Sequence, residues 1–216
     1  MKIFFDTEFT GLHKNTSLIS IGCVSEYGET FYADISDFPR RGLSNWIKEN
    51  VIANTILLSK SPSQYLNFVM ENMDEDHKYI MGSLKKVKEY FVKWIDEIRR
   101  RHHKHDKILF ISDVSHYDMV LLVDLITCGG EALDLPKYIT PVVYDINQLI
   151  FEKENKKDSS FTMYNAFDLN RESLLSEDFD PGLSFDLKKH NSLWDALVIK
   201  DIYETYSKEE EDEDNV

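Results

Sequence analysis

Asp6 and Glu8 stand two residues apart in Phe5-Asp6-Thr7-Glu8-Phe9-Thr10-Gly11-Leu12, behind the apolar run Ile3-Phe4-Phe5. Residues i and i+2 of a β-strand face the same side, so this spacing sets two carboxylates on one face at the end of a strand. Like charges this close repel. The pair is tolerated where the carboxyls titrate upward or share a hard cation, and carboxylate oxygens suit Mg²⁺ or Mn²⁺. An isolated Asp-x-Glu is equally the mark of a strand running into a solvated acidic turn, so its meaning depends on other acids. Asp195 is one, in Asn191-Ser192-Leu193-Trp194-Asp195-Ala196-Leu197-Val198-Ile199, where nearly every neighbour is apolar. A carboxylate in such a helix needs a partner, or serves as a first-turn acid favoured by the helix dipole. His190 precedes it by five residues and takes its meaning from it. Asp118, in Ser112-Asp113-Val114-Ser115-His116-Tyr117-Asp118, falls on the first turn of a helix whose Leu121, Leu122 and Leu125 form the core side. Asp113, at the end of the preceding strand, competes for the same role; the pattern favours Asp118 and leaves Asp113 as a turn or cap residue.

The elements that must position these residues follow from periodicity. Residues 2–6, 18–25 and 29–35 read as β-branched and aromatic strands, and Tyr27-Gly28 marks a tight turn that makes the last two an antiparallel hairpin. Ser44 caps an expected helix with Trp46, Ile47, Val51 and Ile52 on its apolar side. Residues 59–82 give no clear period. Over 83–102, Leu84, Val87, Phe91, Trp94, Ile95 and Ile98 recur at helical spacing opposite a lysine-rich face, and the helix ends in Arg99-Arg100-Arg101-His102-His103-Lys104-His105. A strand is expected over Lys107–Ser112, a helix over Ser115–Thr127 closing on Gly129-Gly130, a short strand at Pro141–Tyr144 and a helix near Asp145–Phe151. Residues 152–189 read as loops, and Ser192–Ser207 as a final helix. Three strands followed by alternating helices and strands predict an α/β protein with a mixed sheet.

Length and composition bound the reading further. The 216 residues fit a single domain over 1–207 with an acidic, disordered tail from 208 to 216. With 25 Lys and Arg against 39 Asp and Glu, the net charge of −14 excludes a protein that grips duplex nucleic acid by a broad basic surface. The tail residues Lys208–Asp214 account for −5 of that charge and the four candidate ligands for −4. No apolar run reaches the length of a membrane span or of a secretion signal, so a cytoplasmic protein without membrane contact is expected. Cys23 and Cys128 form no ligand spacing and are expected as reduced core thiols.

Together these residues resemble the DEDD exonuclease superfamily in its histidine-bearing branch. The first motif matches Asp6-Thr7-Glu8-Phe9-Thr10-Gly11-Leu12, the second Ser115-His116-Tyr117-Asp118, and the third His190-Asn191-Ser192-Leu193-Trp194-Asp195-Ala196. The tyrosine-bearing branch would place Tyr four residues before the last Asp, where this chain has Asn191. Within the branch, Phe31-Tyr32-Ala33-Asp34, the Trp46–Val51 helix and the Ser112–Asp118 segment are most similar to the small mycobacterial-type 3′–5′ exoribonuclease group. The resemblance implies a ribonuclease H-like fold, with three mutually antiparallel strands followed by parallel ones. It also implies hydrolysis at single-stranded 3′ ends, RNA favoured over DNA, releasing nucleoside 5′-monophosphates. Two Mg²⁺ or Mn²⁺ ions would be held by Asp6, Glu8, Asp118 and Asp195, with His190 as general base. Phe9, Thr10, Gly11 and Leu12 would bind the terminal nucleotide, Phe9 standing where relatives commonly carry Thr, and Lys188-Lys189 would lie near the scissile phosphate. A DNA-trimming or proofreading exonuclease is the alternative within the class, and a catalytically inactive nucleic-acid-binding module the alternative outside it. Homodimers are common among the relatives. The basic run Arg99–His105 reads as a solvated helix end.

Overall fold

The computed structural model describes residues 1–102 and 107–213, with side chains to Lys208. Six strands, β1 (Lys2–Phe9), β2 (Leu18–Ser25), β3 (Thr30–Ile35), β4 (His77–Gly82), β5 (Ile108–Ser112) and β6 (Ile139–Asp145), form one sheet in the order β4-β3-β2-β1-β5-β6. β1 pairs antiparallel with β2, and β2 antiparallel with β3. β5 joins β1 in parallel, β6 joins β5, and β4 adds in parallel to β3. This is the mixed α/β sheet expected, and it is compatible with a ribonuclease H-like fold.

Helices cover both faces, which is why β2 is buried along its whole length and reads as a continuous apolar run. On one face Ile3, Phe5, Ile21, Phe31 and Ala33 pack under α2 (Leu84–Arg101) and α3 (Ser115–Thr127). On the other, Phe4, Val24, Tyr32 and Ile111 pack under α4 (Ile146–Lys157) and α6 (Ser192–Glu213). The alternation of Ile3, Phe4 and Phe5 between the two cores is the strand period made visible. Among the described residues no helix is long and apolar enough to cross a membrane.

Several elements depart from expectation. The helix expected after Ser44 is short and irregular: Ile47–Val51 is a wide π-turn followed by a tight 3₁₀ turn at Ile52–Asn54, and Trp46 is 52% exposed. The segment without a clear period holds α1 (Pro62–Asn72) and β4. α1 buries none of its residues fully; Tyr65 and Phe68 are half-buried against the core while Leu66 and Met70 face outward and blur the apolar stripe, although its capping box, Ser61 with Gln64, stands in the sequence. α4 runs six residues past Phe151, and α5 (Met163–Asp168) and a 3₁₀ turn at Arg171–Leu174 lie where only loops were expected. α6 continues to Glu213, past the expected end at Ser207; residues 214–216 of the acidic tail lie outside the described residues. Cys23 is buried as expected, but Cys128 is exposed, because it is the left-handed residue (φ 55°) that ends α3.

One buried acid holds the middle of the chain. Tyr32 Oη donates to Asp34 Oδ1 (2.6 Å), and the Leu57 and Leu58 amides donate to Oδ2 (2.8 and 2.9 Å). Burial nonetheless pushes the Asp34 carboxyl from 3.8 up to about 6. The native state therefore holds a proton that the unfolded chain releases between these values, and stability falls as pH rises through that window. Asp34→Asn carries no such proton. From pH 4 to pH 7 the stability of the wild type relative to Asp34→Asn should drop by about 2 kcal/mol, read from urea unfolding at both pH values. A pH-independent difference would show that Asp34 keeps one charge state throughout.

Candidate functional site

The acids gather where β1 outruns its parallel neighbour. Lys2, Ile3 and Phe4 pair with Leu109, Phe110 and Ile111, so Asp6 and Glu8 project beyond the paired end of β5, at the crevice outside the carboxyl ends of parallel strands. Both are half-buried, and Thr7 between them is buried on the opposite face. Asp6 pairs with Gly22 of β2, and that glycine seats the start of α6. A Cβ at Gly22 would lie 2.2 Å from Leu193 N and from Ser192 C, backbone atoms that have nowhere to yield. The Ser20 and Ser192 hydroxyls, 3.1 Å apart, share a hydrogen bond across the same junction. Asn191 caps the helix, its Oδ1 accepting from the Leu193 and Trp194 amides (3.1 and 3.3 Å). These contacts bring the first-turn Asp195 to the Asp6 side of the sheet.

His190 enters the site on a strained backbone. Its φ of 64° is left-handed, a conformation that costs a non-glycine residue on the order of 1–3 kcal/mol unless its surroundings enforce it. The enforcement is visible. The His190 amide donates to Asp195 Oδ2 (3.1 Å), Asn54 Nδ2 donates to Lys189 O (3.2 Å), and Asn191 Nδ2 donates to Asn54 O (2.8 Å). The exposed Trp46 meets the imidazole edge to face with centroids 5.1 Å apart. Burial, and then the neighbouring Lys189 charge, hold the imidazole below its ordinary value, so the ring is neutral at pH 7 and free to accept a proton or a cation.

Asp6, Glu8, Asp113, Asp118, His190 and Asp195 all line one cavity of about 330 Å³. Within it Glu8, His190 and Asp195 offer ligand atoms that lie within 4.8 Å of one another. Two carboxylates and an imidazole at this spacing suit a divalent cation, and the oxygen-rich surroundings favour Mg²⁺ or Mn²⁺ over softer metals. Electrostatics agree. Asp6 is raised well above the carboxylate range by burial and then by Asp118, Asp195 and Glu8; Glu8 is raised by burial and then by Asp195 and Asp118. Asp195 is pushed up to about 7, chiefly by burial. A bound cation would relieve this crowding.

The two rivals on the second motif are placed differently. Asp118 is 1% exposed, and both of its oxygens are taken: Thr7 Oγ1 donates to Oδ1 (2.5 Å) and Ser112 Oγ to Oδ2 (2.8 Å). Burial still pushes it up to about 7. Asp113 is held by Arg171, whose Nε and Nη2 reach its two oxygens at 2.8 Å each, and by Asn147 Nδ2 (2.9 Å). Asp113 is thus neutralised by an ion pair, while Asp118 is the acid that faces Asp6 without a cation of its own.

Of the residues expected to meet a substrate, Phe9, Leu12 and Lys189 line the cavity; Thr10 and Gly11 do not. The Thr10 hydroxyl is occupied by the Ser17 amide (3.0 Å), which closes the loop after β1. Phe9 stacks on Tyr117 with centroids 5.3 Å apart, joining the first motif to the second. Leu12 is 75% exposed at the rim. The opposite wall, Phe167 to Glu172, went unread because its segment was expected to be loop; its signal was the Thr162-x-x-Asn165 capping pattern before Met163. The basic run is engaged elsewhere. Arg99 stacks over the Tyr138 ring (3.8 Å), Arg101 pairs with Glu29, Glu75 and Asp76, and His102 Nε2 lies 2.5 Å from Glu29 Oε1. His103, Lys104 and His105 lie outside the described residues.

Compared with protein-family models and with curated proteins, the chain matches none.

Two substitutions separate the seat from the ligands. Gly22→Ala should cost about 1–3 kcal/mol or more by forcing α6 off β2; Mn²⁺ should raise the unfolding midpoint of the wild type and not that of Gly22→Ala. Asp195→Asn should raise the metal-free midpoint, because one repelling charge is gone, while also losing the Mn²⁺ response. A full Mn²⁺ response in Asp195→Asn would remove Asp195 from the ligand set.

Proposed function

We propose that this protein is a metal-dependent 3′–5′ exoribonuclease that hydrolyses phosphodiester bonds at single-stranded RNA ends and releases nucleoside 5′-monophosphates. The observation that carries the reading is the convergence of Asp6, Glu8, Asp118, His190 and Asp195 in one cavity. They come from β1, α3 and the start of α6, in the order and spacing of the three motifs of the histidine-bearing DEDD exonucleases.

Asp6, Glu8 and Asp195 would hold the divalent ions, with Asp118 behind them. When bound, such ions supply Lewis-acid stabilisation of the charge that develops on the phosphoryl, attacking and leaving oxygens. The chain's own groups do the rest. His190, neutral at working pH, accepts the proton of the attacking water, and its backbone bond to Asp195 fixes the imidazole relative to the carboxylates. Lys189 adds a positive charge at the cavity wall that meets the phosphate. Phe9 and Leu12 on one side and Phe167 on the other give apolar surface for the terminal sugar and base. A cavity of about 330 Å³ admits one nucleotide and no stacked duplex, which supports single-stranded ends.

His190→Ala should lower mononucleotide release by about 10²–10⁴-fold in Mg²⁺ or Mn²⁺ while keeping the Mn²⁺ rise in unfolding midpoint. Loss of both would make His190 a ligand instead of the base. Matched RNA and DNA oligonucleotides with free 3′ ends test the substrate: faster RNA hydrolysis is expected, equal or faster DNA hydrolysis would make the protein a DNA exonuclease, and no hydrolysis of either would leave a binding module.

A further inference from the structure

The cations of this acidic chain are unevenly committed. Arg99, Arg101 and His102 are bound up in the protein at the end of α2, whereas beside the His190 loop, among the described residues, Lys60 and Lys188 form no ion pair. These two lysines line a second cavity of about 440 Å³, with Asn54, Phe68, Phe185 and Asp186. Phe68 and Phe185 meet edge to face with centroids 4.9 Å apart, and Lys60 Nζ sits 5.0 Å over the Phe68 ring. Two lysines against one aspartate leave the groove net positive.

The groove begins where the first cavity ends. Lys188 lines the groove, and its neighbours Lys189 and His190 line the catalytic cavity. Consecutive Cα atoms are only about 3.8 Å apart, so residues 188–190 are a common wall. Asn54 lines the groove and holds that wall through Lys189 O. A polymer whose last unit fills the first cavity has to leave it over one rim. The rim at α5 carries Glu172 and an Arg171 already neutralised by Asp113. The rim at Lys189 leads to Lys188 and Lys60, where, among the residues lining these two cavities, a chain of phosphates meets positive charge without an ion pair and aromatic surface together.

We propose that this groove binds the nucleotides on the 5′ side of the cleaved bond, with a backbone phosphate between Lys60 and Lys188 and a base against the Phe68–Phe185 pair. The proposal rests on the exonuclease reading above. Recognition of this kind is tolerant of sequence and sensitive to salt, because every base has a π-face and every phosphate the same charge.

The test compares substrates of different reach on the intact protein with Mn²⁺: the p-nitrophenyl ester of uridine 5′-monophosphate, which fills only the first cavity, and RNA of two and five nucleotides. The wild type should show a KM for the pentamer about tenfold below that for the dinucleotide. Lys60→Glu should raise the pentamer KM by about tenfold and flatten its salt dependence by about one ion, with kcat, ester turnover and unfolding midpoint unchanged. Phe185→Leu should raise the same KM without altering the salt slope. Ester turnover with a KM independent of length, or equal effects of Lys60→Glu on ester and pentamer, overturns the groove while leaving the exonuclease reading in place. Turnover of none of these substrates overturns that reading and the groove with it.

Discussion

At Gly22 the middle of β2 runs against the opening turn of α6 so closely that no side chain fits between them. Asp6 lies across the β1–β2 ladder from this point, and Asp195 one turn into the helix. The separation between the first and last acids of the site is therefore set by backbone contact, which side-chain motion cannot relax. The Ser20–Ser192 hydrogen bond and the Asn191 cap fix the rotation and the starting point of the helix once the glycine has set its distance. The His190 loop inherits its strained shape from the same junction, since it must reach Asn191 from a chain already held by Asn54.

Around this seat the protein keeps positive charge away from most of the acids. Arg171 neutralises Asp113, and hydroxyl donors from Thr7 and Ser112 occupy Asp118, but Asp6, Glu8 and Asp195 face one another without an arginine or lysine ion pair among the described residues. Burial raises all three carboxyls; the Asp118 and Asp195 charges push Asp6 and Glu8 further up, and the Asp113 and Glu172 charges push Asp195. A site built for rigidity alone would pair these acids with cations, as Glu29 is paired with Arg101 and His102 at the far end of the sheet. The contrast between the two clusters in one molecule separates a charge that holds the fold from a charge left open for a ligand.

The sheet and the site were legible in the sequence to different depths. The β1–β3 meander and α2 announce themselves through apolar runs and a strong helical period, α3 and the start of α6 through their apolar composition, and the Asp6-x-Glu8 spacing and the apolar surroundings of Asp195 mark the acids that meet. Other elements carry a blurred signal. α1 lies on the surface with Leu66 and Met70 exposed, and the turn at Ile47–Val51 is too short to show a period. What no local pattern carries is the pairing of distant residues. Nothing near Asp113 points to Arg171, 58 positions later, and nothing near His190 points to Asn54. The place of Thr10 in the first motif points to a ligand contact, and no local pattern shows that its hydroxyl closes its own loop.

Because α6 follows the other described elements in the chain, the face of the sheet that carries Phe4, Val24 and Tyr32 has only part of its cover, from α4 and α5, while the first five helices and all six strands are already synthesised. A nascent chain on the ribosome thus passes through a stage with a formed meander and one half-covered apolar face, the state in which aggregation competes with folding. Since Asp195 and His190 arrive with the helix that completes the cover of that face, sealing of this core and completion of the site are one event.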